Sequence, residues 1–179
     1  DADIVFATGA KTAPLVSSLP KEKGQKFYFI QSYEAEGFGN KKGFVEKTYN
    51  LGLTNIVISQ ELRQKVLASG ASEPKYLPNF YNPDEFYLEK PIGDRGNMIC
   101  LLNHTQETKR TKFGLEILRE VKNVIPNLEV QLFGAYDPIE TLEDWVHFTK
   151  NANSDQLRKE IYGTSKIYLL PSVLEGWVL

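Results

Sequence analysis

The chain has 179 residues, of which 41% are hydrophobic, 12% aromatic and 25% charged. This composition is typical of a globular protein with one large or two small domains, and it excludes a disordered chain. The formal net charge of −2 argues against a broad nucleic-acid-binding surface, but it allows a local basic patch. The single cysteine, Cys100, excludes an intrachain disulfide and a multi-cysteine zinc site. No run of about 18 apolar residues is present, so no membrane-spanning segment is expected.

Short apolar runs have the length of buried β-strands. Most are continuous rather than alternating in polarity, which is typical of parallel strands covered on both faces. The predicted strands cover residues 4–7, 27–30, 55–58, 98–102, 128–133, 145–148 and 166–170.

Helical patterns alternate with these strands. The strongest covers residues 110–125, where apolar residues recur every 3.6 positions and Pro126 ends the pattern. Ser59 is a suitable N-cap for a helix over 60–69. Further helices are expected over residues 43–50 and 155–162. Alternating strands and helices predict an α/β fold with parallel sheets.

Residues 78–97 are rich in proline, glycine, asparagine and aspartate and are predicted to form a linker. They divide the chain near residue 90 into two halves. The chain begins without methionine and stops directly after a strand-like run and a turn. We therefore expect a piece of a longer protein, inactive by itself.

A basic cluster lies at the N-terminus of the strongest predicted helix, where three of the four residues 109–112 are basic. Cations are unfavourable there by roughly 0.3–1 kcal/mol each, because the helix dipole is positive at that end. A bound phosphate would make the basic side chains favourable there, because it attracts both them and the helix N–H groups. The alternative is that these long side chains simply reach solvent. The cluster follows the carboxyl end of a predicted strand, where α/β sheets bind ligands, but it lacks the spaced glycines of a P-loop.

A second candidate site follows the last predicted strand, where Ser172 and Glu175 lie on a short turn after Pro171. Glu175 could accept two sugar hydroxyls, and the amide of Gly176 could approach a ligand closely. The alternative is a solvated glutamate in a turn.

Together these residues resemble the donor-binding domain of retaining glycosyltransferases of family 4, which have the GT-B fold. Asn103-His104 and Lys109-Arg110 have the spacing of that family's Gly-Arg and Lys-Gly pairs. Phe133-Gly134 resembles its strand that ends in glycine. The segment from Pro171 to Trp177 resembles its Pro-Ser-x-x-Glu-Gly-Phe motif.

The first half carries weaker similarities. Residues 82–86 are similar to the family's interdomain stretch, and residues 29–34 resemble the subset related to rhamnan-synthesis glycosyltransferases. The chain also departs from the family. His104 replaces an arginine, which makes one fixed charge conditional on pH, and Val178 replaces a glycine. The second glutamate of the family's Glu-x7-Glu pattern would lie beyond Leu179.

The resemblance implies a GT-B-type α/β fold with two Rossmann-like halves, both incomplete. Residues 1–90 would be the end of the acceptor-side domain with the interdomain stretch, and residues 91–179 the start of the donor-binding domain. The implied activity is transfer of a hexosyl or deoxyhexosyl group from a nucleotide sugar to a saccharide or lipid-linked acceptor. Retention of configuration, with no metal or other cofactor, is also implied.

The resemblance further implies the roles of individual residues. Lys109 and Glu175 would be catalytic, since fixed donors stabilise the charge on a departing nucleoside diphosphate. Donor binding would fall to His104, Arg110, Gly134, Ser172, Gly176 and Trp177. His104 would help either as a cation or as a neutral hydrogen-bond donor.

No nucleic-acid partner is expected. The full-length protein is expected in the cytoplasm, with peripheral association at the inner face of a bacterial membrane. Two other hypotheses stay open. The protein could be a nucleotide-sugar-binding or assembly module without catalysis, or a doubly wound domain of unrelated function.

Overall fold

The structure is a computed structural model that describes residues 2–175. Its contacts divide the chain into two compact units, one up to Phe80 and the other from Tyr81 to Val173, and Leu174 and Glu175 group with the first. Each unit contains a four-stranded sheet in which all strands are parallel. The predicted α/β class with parallel sheets is confirmed.

The strands of the first unit follow one another across the sheet in the order β1-β2-β3-β4. Its elements are β1 (Ile4–Ala7), α1 (Ala13–Ser18), β2 (Gln25–Ile30), α2 (Lys42–Thr48), β3 (Thr54–Val57), α3 (Gln60–Ala68) and β4 (Lys75–Tyr76). The sequence predicts neither α1 nor β4, because elements of six and two residues are too short to display a hydrophobic period.

One face of this sheet forms the core of the first unit. Buried strand residues pack there against all three helices: Ala7, Tyr28, Ile30 and Val57 against Val16, Val45, Leu62 and Val66. On the other face, Phe6 stacks on Phe27 with ring centroids 5.3 Å apart and is still 50% exposed. The strands were expected to be covered on both faces of the sheet, but among the described residues of this unit the second face is only partly covered.

Local signals set the limits of α3 as predicted. The Ser59 hydroxyl accepts a hydrogen bond from the Leu62 amide at 3.2 Å and caps the first turn. Gly70 follows the helix with φ of 80°, a left-handed conformation that glycine adopts without steric cost.

The second unit has the strand order β7-β6-β5-β8. Its elements are β5 (Met98–Leu102), α4 (Thr111–Val124), β6 (Glu129–Gly134), β7 (Val146–Lys150), α5 (Ser154–Gln156) and β8 (Ile167–Leu169). The chain moves outwards from β5 to β6 and β7, and then returns to the other side of β5. The strand order thus reverses between β5 and β8.

Helices cover both faces of this second sheet. Successive residues of a strand point to opposite faces. Leu101 packs in one cluster with Leu115 and Leu118 of α4, and Cys100 packs in another with Ile161. Burial raises the pKa of the Cys100 thiol to about 11, so this cysteine is an inert part of the core.

The helix expected over residues 155–162 is regular only at its start. Asn153 and Gln156 form a reciprocal capping box around α5. From Leu157 to Tyr162 the chain continues as a π-helix. Leu157 and Ile161 share an apolar face in either winding, so their spacing in the sequence does not distinguish the two.

The boundary between the units precedes the division expected near residue 90, because Arg95 ties this segment to the second unit. Its buried guanidinium donates hydrogen bonds to the Tyr162 and Ser165 carbonyls, both at 2.6 Å, and to the Lys90 carbonyl at 2.8 Å. Arg158 also pairs with Glu89.

Replacing Arg95 by lysine is expected to lower the free energy of unfolding by about 2–4 kcal/mol. A single ammonium cannot reach the carbonyls that the planar guanidinium joins, and buried acceptors are left unpaired. Urea unfolding measures the loss. Arg63→Lys is the control, because Arg63 pairs with Glu73 at the surface and the change should cost under about 1 kcal/mol. Equal losses in the two variants would contradict the role of Arg95.

Candidate functional site

The loops that follow β5 and β8 meet at the carboxyl edge of the second sheet. The backbone N–H of Val173 donates to the carbonyl of Thr108 at 3.0 Å. In doubly wound sheets, a crevice opens where the strand order reverses, and ligands bind there. We call residues 103–111 and 170–173 together the switch-point site.

The N-terminus of α4 opens into the switch-point site. A short 3₁₀ turn, Glu107–Lys109, leads to Arg110, which precedes the helix and does not cap it with its side chain. The first-turn N–H groups thus add partial positive charge to that of the basic side chains. The buried hydroxyl of Thr111 accepts from the His104 amide and donates to the Leu102 carbonyl, both at 3.0 Å, so the helix start is fixed to the end of β5.

Arg110 has φ of 52° and ψ of 38°, a left-handed conformation that costs a non-glycine residue about 1–2 kcal/mol. Its guanidinium lies 3.9 Å from the centre of the Phe113 ring. Backbone strain of this kind concentrates at functional sites. A cleft of about 350 Å³ adjoins this turn and is lined by His104, Arg110 and Lys112 among others. Lys109 is half-buried in the turn itself.

Gly134 ends β6 beside the switch-point site, and its missing side chain permits a close backbone contact. A Cβ atom at this position would lie 2.1 Å from the Asn103 carbonyl oxygen. The backbone N–H of Asn103 donates to the Phe133 carbonyl at 2.7 Å, which fixes the end of β5 against β6. The predicted strand that ends in glycine is present, and glycine is required there.

Asn103 organises the loop after β6, a role that the sequence analysis did not predict. Its fully buried side-chain amide donates to the carbonyls of Tyr136 at 2.8 Å and Asp137 at 3.1 Å. The only available signal was a polar residue directly after a buried strand. The partners lie more than 30 positions away, and no spacing rule identifies them.

Ser172 lies on the β8 side of the switch-point site, and its buried hydroxyl oxygen has no hydrogen-bond partner in the described structure. Polar atoms of this kind are rare in native proteins. The preceding residue, Pro171, packs on Gly114 of α4, where an added Cβ would lie 3.2 Å from the proline ring. The second loop is thus held against the first turn of α4.

The structure therefore brings His104, Lys109, Arg110 and Ser172 to one edge of the sheet, with Gly134 at the end of the neighbouring strand. Glu175 is half-buried and groups with the first unit. Gly176 and Trp177 lie outside the described residues.

Within residues 2–175, no group of three or more His, Cys, Asp or Glu side chains could hold a metal ion. No helix in this range is long and apolar enough to cross a membrane. His147, the second histidine, pairs with Glu129 at 2.7 Å on the exposed surface of β7 and β6.

No protein-family model matches the sequence, and no curated protein matches it. Solved structures do match. TarM superimposes with a TM-score of 0.70 and 16% identity over 97% of this chain and 37% of its own. The Staphylococcus aureus TarM variant with Fondaparinux, alpha-GlcNAc-glycerol and UDP gives 0.76, with 16% identity over 98% of this chain and 38% of its own. The pneumococcal O-GlcNAc transferase GtfA, with UDP and GlcNAc, gives 0.63, with 14% identity over 98% and 38%.

The chain has a GT-B-type fold. Both four-stranded parallel sheets with their interleaved helices match these GT-B glycosyltransferases, so the predicted fold class is confirmed. The chain spans less than two fifths of the length of these proteins and covers only part of the fold. At these identities the likeness establishes the fold alone.

Gly134→Ala is expected to destabilise the second unit by about 1–3 kcal/mol, because the new methyl group would overlap the Asn103 carbonyl and force β5 and β6 apart. Thermal or urea unfolding measures the effect. Gly96→Ala is the matched control, since a Cβ there meets no atom within 4 Å. If Gly134→Ala is as stable as Gly96→Ala, the close approach of the two strand ends is not a constraint.

Proposed function

We propose that this chain belongs to a glycosyltransferase and binds the diphosphate of a nucleotide-sugar donor at the switch-point site. One observation carries the proposal. The start of α4, which has no side-chain cap, the basic turn of Lys109 and Arg110, and the loop of the unpartnered Ser172 hydroxyl meet at the edge where the strand order reverses, through the hydrogen bond from Val173 to Thr108. Each feature has another explanation by itself, but an anion is the ligand that suits all of them.

The chemistry of sugar transfer gives these residues their roles. Negative charge develops on the nucleoside diphosphate as the bond to the sugar breaks. The Lys109 ammonium, the Arg110 guanidinium and the first-turn N–H groups of α4 would stabilise that charge without a metal ion. Preorganised donors of this kind contribute roughly 3–4 kcal/mol each to the transition state. Lys109 is thus the proposed catalytic residue that stabilises the leaving diphosphate.

The sugar end of the donor is assigned by the resemblance. Ser172, Glu175, Gly176 and Trp177 match the motif that contacts the donor sugar, and Glu175 would accept hydrogen bonds from its hydroxyls. Gly134 would contribute through its backbone at the end of β6, since the Asn103 carbonyl occupies the place of its missing side chain. We propose these contacts for the full-length protein, with the first unit as the acceptor side and the second unit as the donor side.

Several finer features belong to the same proposal. They are membership of family 4 with the rhamnan-synthesis subset, retention of configuration, transfer of a hexosyl or deoxyhexosyl group, and a saccharide or lipid-linked acceptor. The proposed setting is polysaccharide biosynthesis at the cytoplasmic face of a bacterial membrane. The presence of UDP with GlcNAc in GtfA supports a nucleotide-sugar donor.

A non-catalytic binding or assembly module is the second candidate. A Glycosylation Associate Protein complex (Gap123) from Streptococcus agalactiae also matches, with a TM-score of 0.52 and 11% identity over 97% of this chain and 38% of its own. The two candidates share the diphosphate site but differ in turnover.

Lys109→Ala is expected to weaken binding of UDP by about 10- to 100-fold, because it removes a charge-assisted hydrogen bond worth roughly 1.5–3 kcal/mol. Isothermal titration calorimetry measures the affinity. Lys42→Ala is the control, since Lys42 is an exposed lysine of the first unit and its loss should leave the affinity unchanged.

If Lys109→Ala and the wild type bind UDP and other nucleoside diphosphates equally, the proposed site is wrong. Turnover separates the two candidates. The full-length protein with a panel of nucleotide sugars should release nucleoside diphosphate at a rate that Lys109→Ala lowers. Binding without release across the panel would favour the assembly module.

A further inference from the structure

We propose that a second cleft, on the second unit, binds a neutral saccharide. It has a volume of about 350 Å³, and its walls include Tyr81, Phe86, Tyr87, Leu88, Arg158 and Tyr162. We call it the aromatic cleft. It shares no lining residue with the switch-point site, and its volume lies at the lower end of the range for small-molecule sites. The choice of a saccharide as the ligand rests on the proposed function.

The aromatic cleft exposes large apolar side chains side by side. Tyr81 is 63% exposed, Tyr87 53% and Leu88 66%, and Tyr162 completes the group at 37%. Single exposed apolar residues are common, but a contiguous group rimmed by polar residues marks a binding groove. A tyrosine ring offers a flat apolar face and a hydroxyl at one edge. The cleft therefore suits a ligand that has both an apolar face and polar edges.

The wall formed by residues 81–90 is held against the rest of the unit. The Arg158 side chain is only 9% exposed, because it pairs with Glu89 and its guanidinium lies 4.5 Å from the centre of the Tyr87 ring. Arg95 ties the end of the same wall to the π-helix through the carbonyl contacts described above. The Tyr87 ring is thus ordered before a ligand binds, which lowers the entropic cost of binding.

The end of the π-helix forms another wall of the aromatic cleft. π-helical turns are rare and occur frequently at functional sites. The winding closes on Gly163, where an added Cβ would lie 2.5 Å from the Arg158 carbonyl oxygen. Tyr162, the last residue of the π-helix, packs edge to face on Phe133 with ring centroids 5.7 Å apart. The winding of the backbone and this ring contact together fix Tyr162 in the cleft.

The charges of the aromatic cleft argue against an ionic ligand. The donors of its two arginines are already engaged, since Arg95 binds backbone carbonyls and Arg158 pairs with Glu89 and, at 2.6 Å, with Asp155. An anion would have to displace these partners, and a cation would meet two guanidinium groups. The cleft differs in this respect from the basic turn of the switch-point site, and its ligand is neutral.

A sugar ring has the properties that this cleft requires. A pyranose presents C–H groups on its face, which pack on the negative face of an aromatic ring, and hydroxyls around its edge. Tyrosine hydroxyls can donate to and accept from those sugar hydroxyls. The proposed function supplies such a ligand, because a transferase that extends a saccharide must hold its acceptor or its growing product. The aromatic cleft would hold a part of that saccharide that does not react.

Saccharide binding is measured on the full-length protein by ligand-observed NMR, with trisaccharides of glucose, N-acetylglucosamine and rhamnose as probes. We expect at least one to bind. Tyr81→Ala and Tyr87→Ala should each weaken that binding by about 5- to 10-fold, because each removes one stacking ring. Tyr76→Ala is the control, since Tyr76 is 43% exposed on the first unit, outside the cleft. The affinity for UDP should stay unchanged in all three variants, which shows that the fold is intact.

Three results would overturn the inference and leave the proposed function standing. The first is that no trisaccharide binds while Lys109→Ala still weakens UDP binding. The second is equal trisaccharide affinity in the wild type and in both cleft variants. The third is binding of decaproline in place of any trisaccharide, lost in Tyr87→Ala, which would assign the cleft to a proline-rich peptide. Equal UDP affinity in Lys109→Ala and the wild type would instead overturn the proposed function, whether or not a trisaccharide binds.

Discussion

The return of β8 to the side of β5 is the constraint on which the candidate site depends. Parallel pairing in register, Ile99 with Ile167 through Leu101 with Leu169, brings the two strand ends to the same edge. The loops that follow them then share the hydrogen bond between Val173 and Thr108. If β8 paired with β7 instead, the basic turn after β5 and the Ser172 loop after β8 would lie at opposite sides of the sheet.

Two glycines allow the close packing that maintains the arrangement of these loops. Gly134 admits the Asn103 carbonyl, and Gly114 admits Leu101 and Pro171. The two glycines have different partners but the same effect, because each allows a strand end to approach a neighbouring element. The left-handed turn at Arg110 is the local cost of bringing basic side chains and helix N–H groups to the same place.

Much of the fold could be predicted from local patterns in the sequence, because the apolar runs and α4 depend on near neighbours in the chain. Residues 98–102 form a strand with the predicted limits, and α4 begins and ends within one residue of its prediction. Other features depend on partners far along the chain. The Tyr162 and Ser165 carbonyls that bind Arg95, and the Tyr136 and Asp137 carbonyls that bind the Asn103 side chain, are brought there by tertiary contacts, and no pattern in the sequence encodes them.

The most direct measurement is a crystal structure of the full-length protein with UDP. We predict that the diphosphate binds at the start of α4, with phosphate oxygens about 2.7–3.2 Å from Lys109 Nζ and from first-turn N–H groups. UDP bound elsewhere, with only solvent at the N-terminus of α4, would contradict the switch-point site as the donor site.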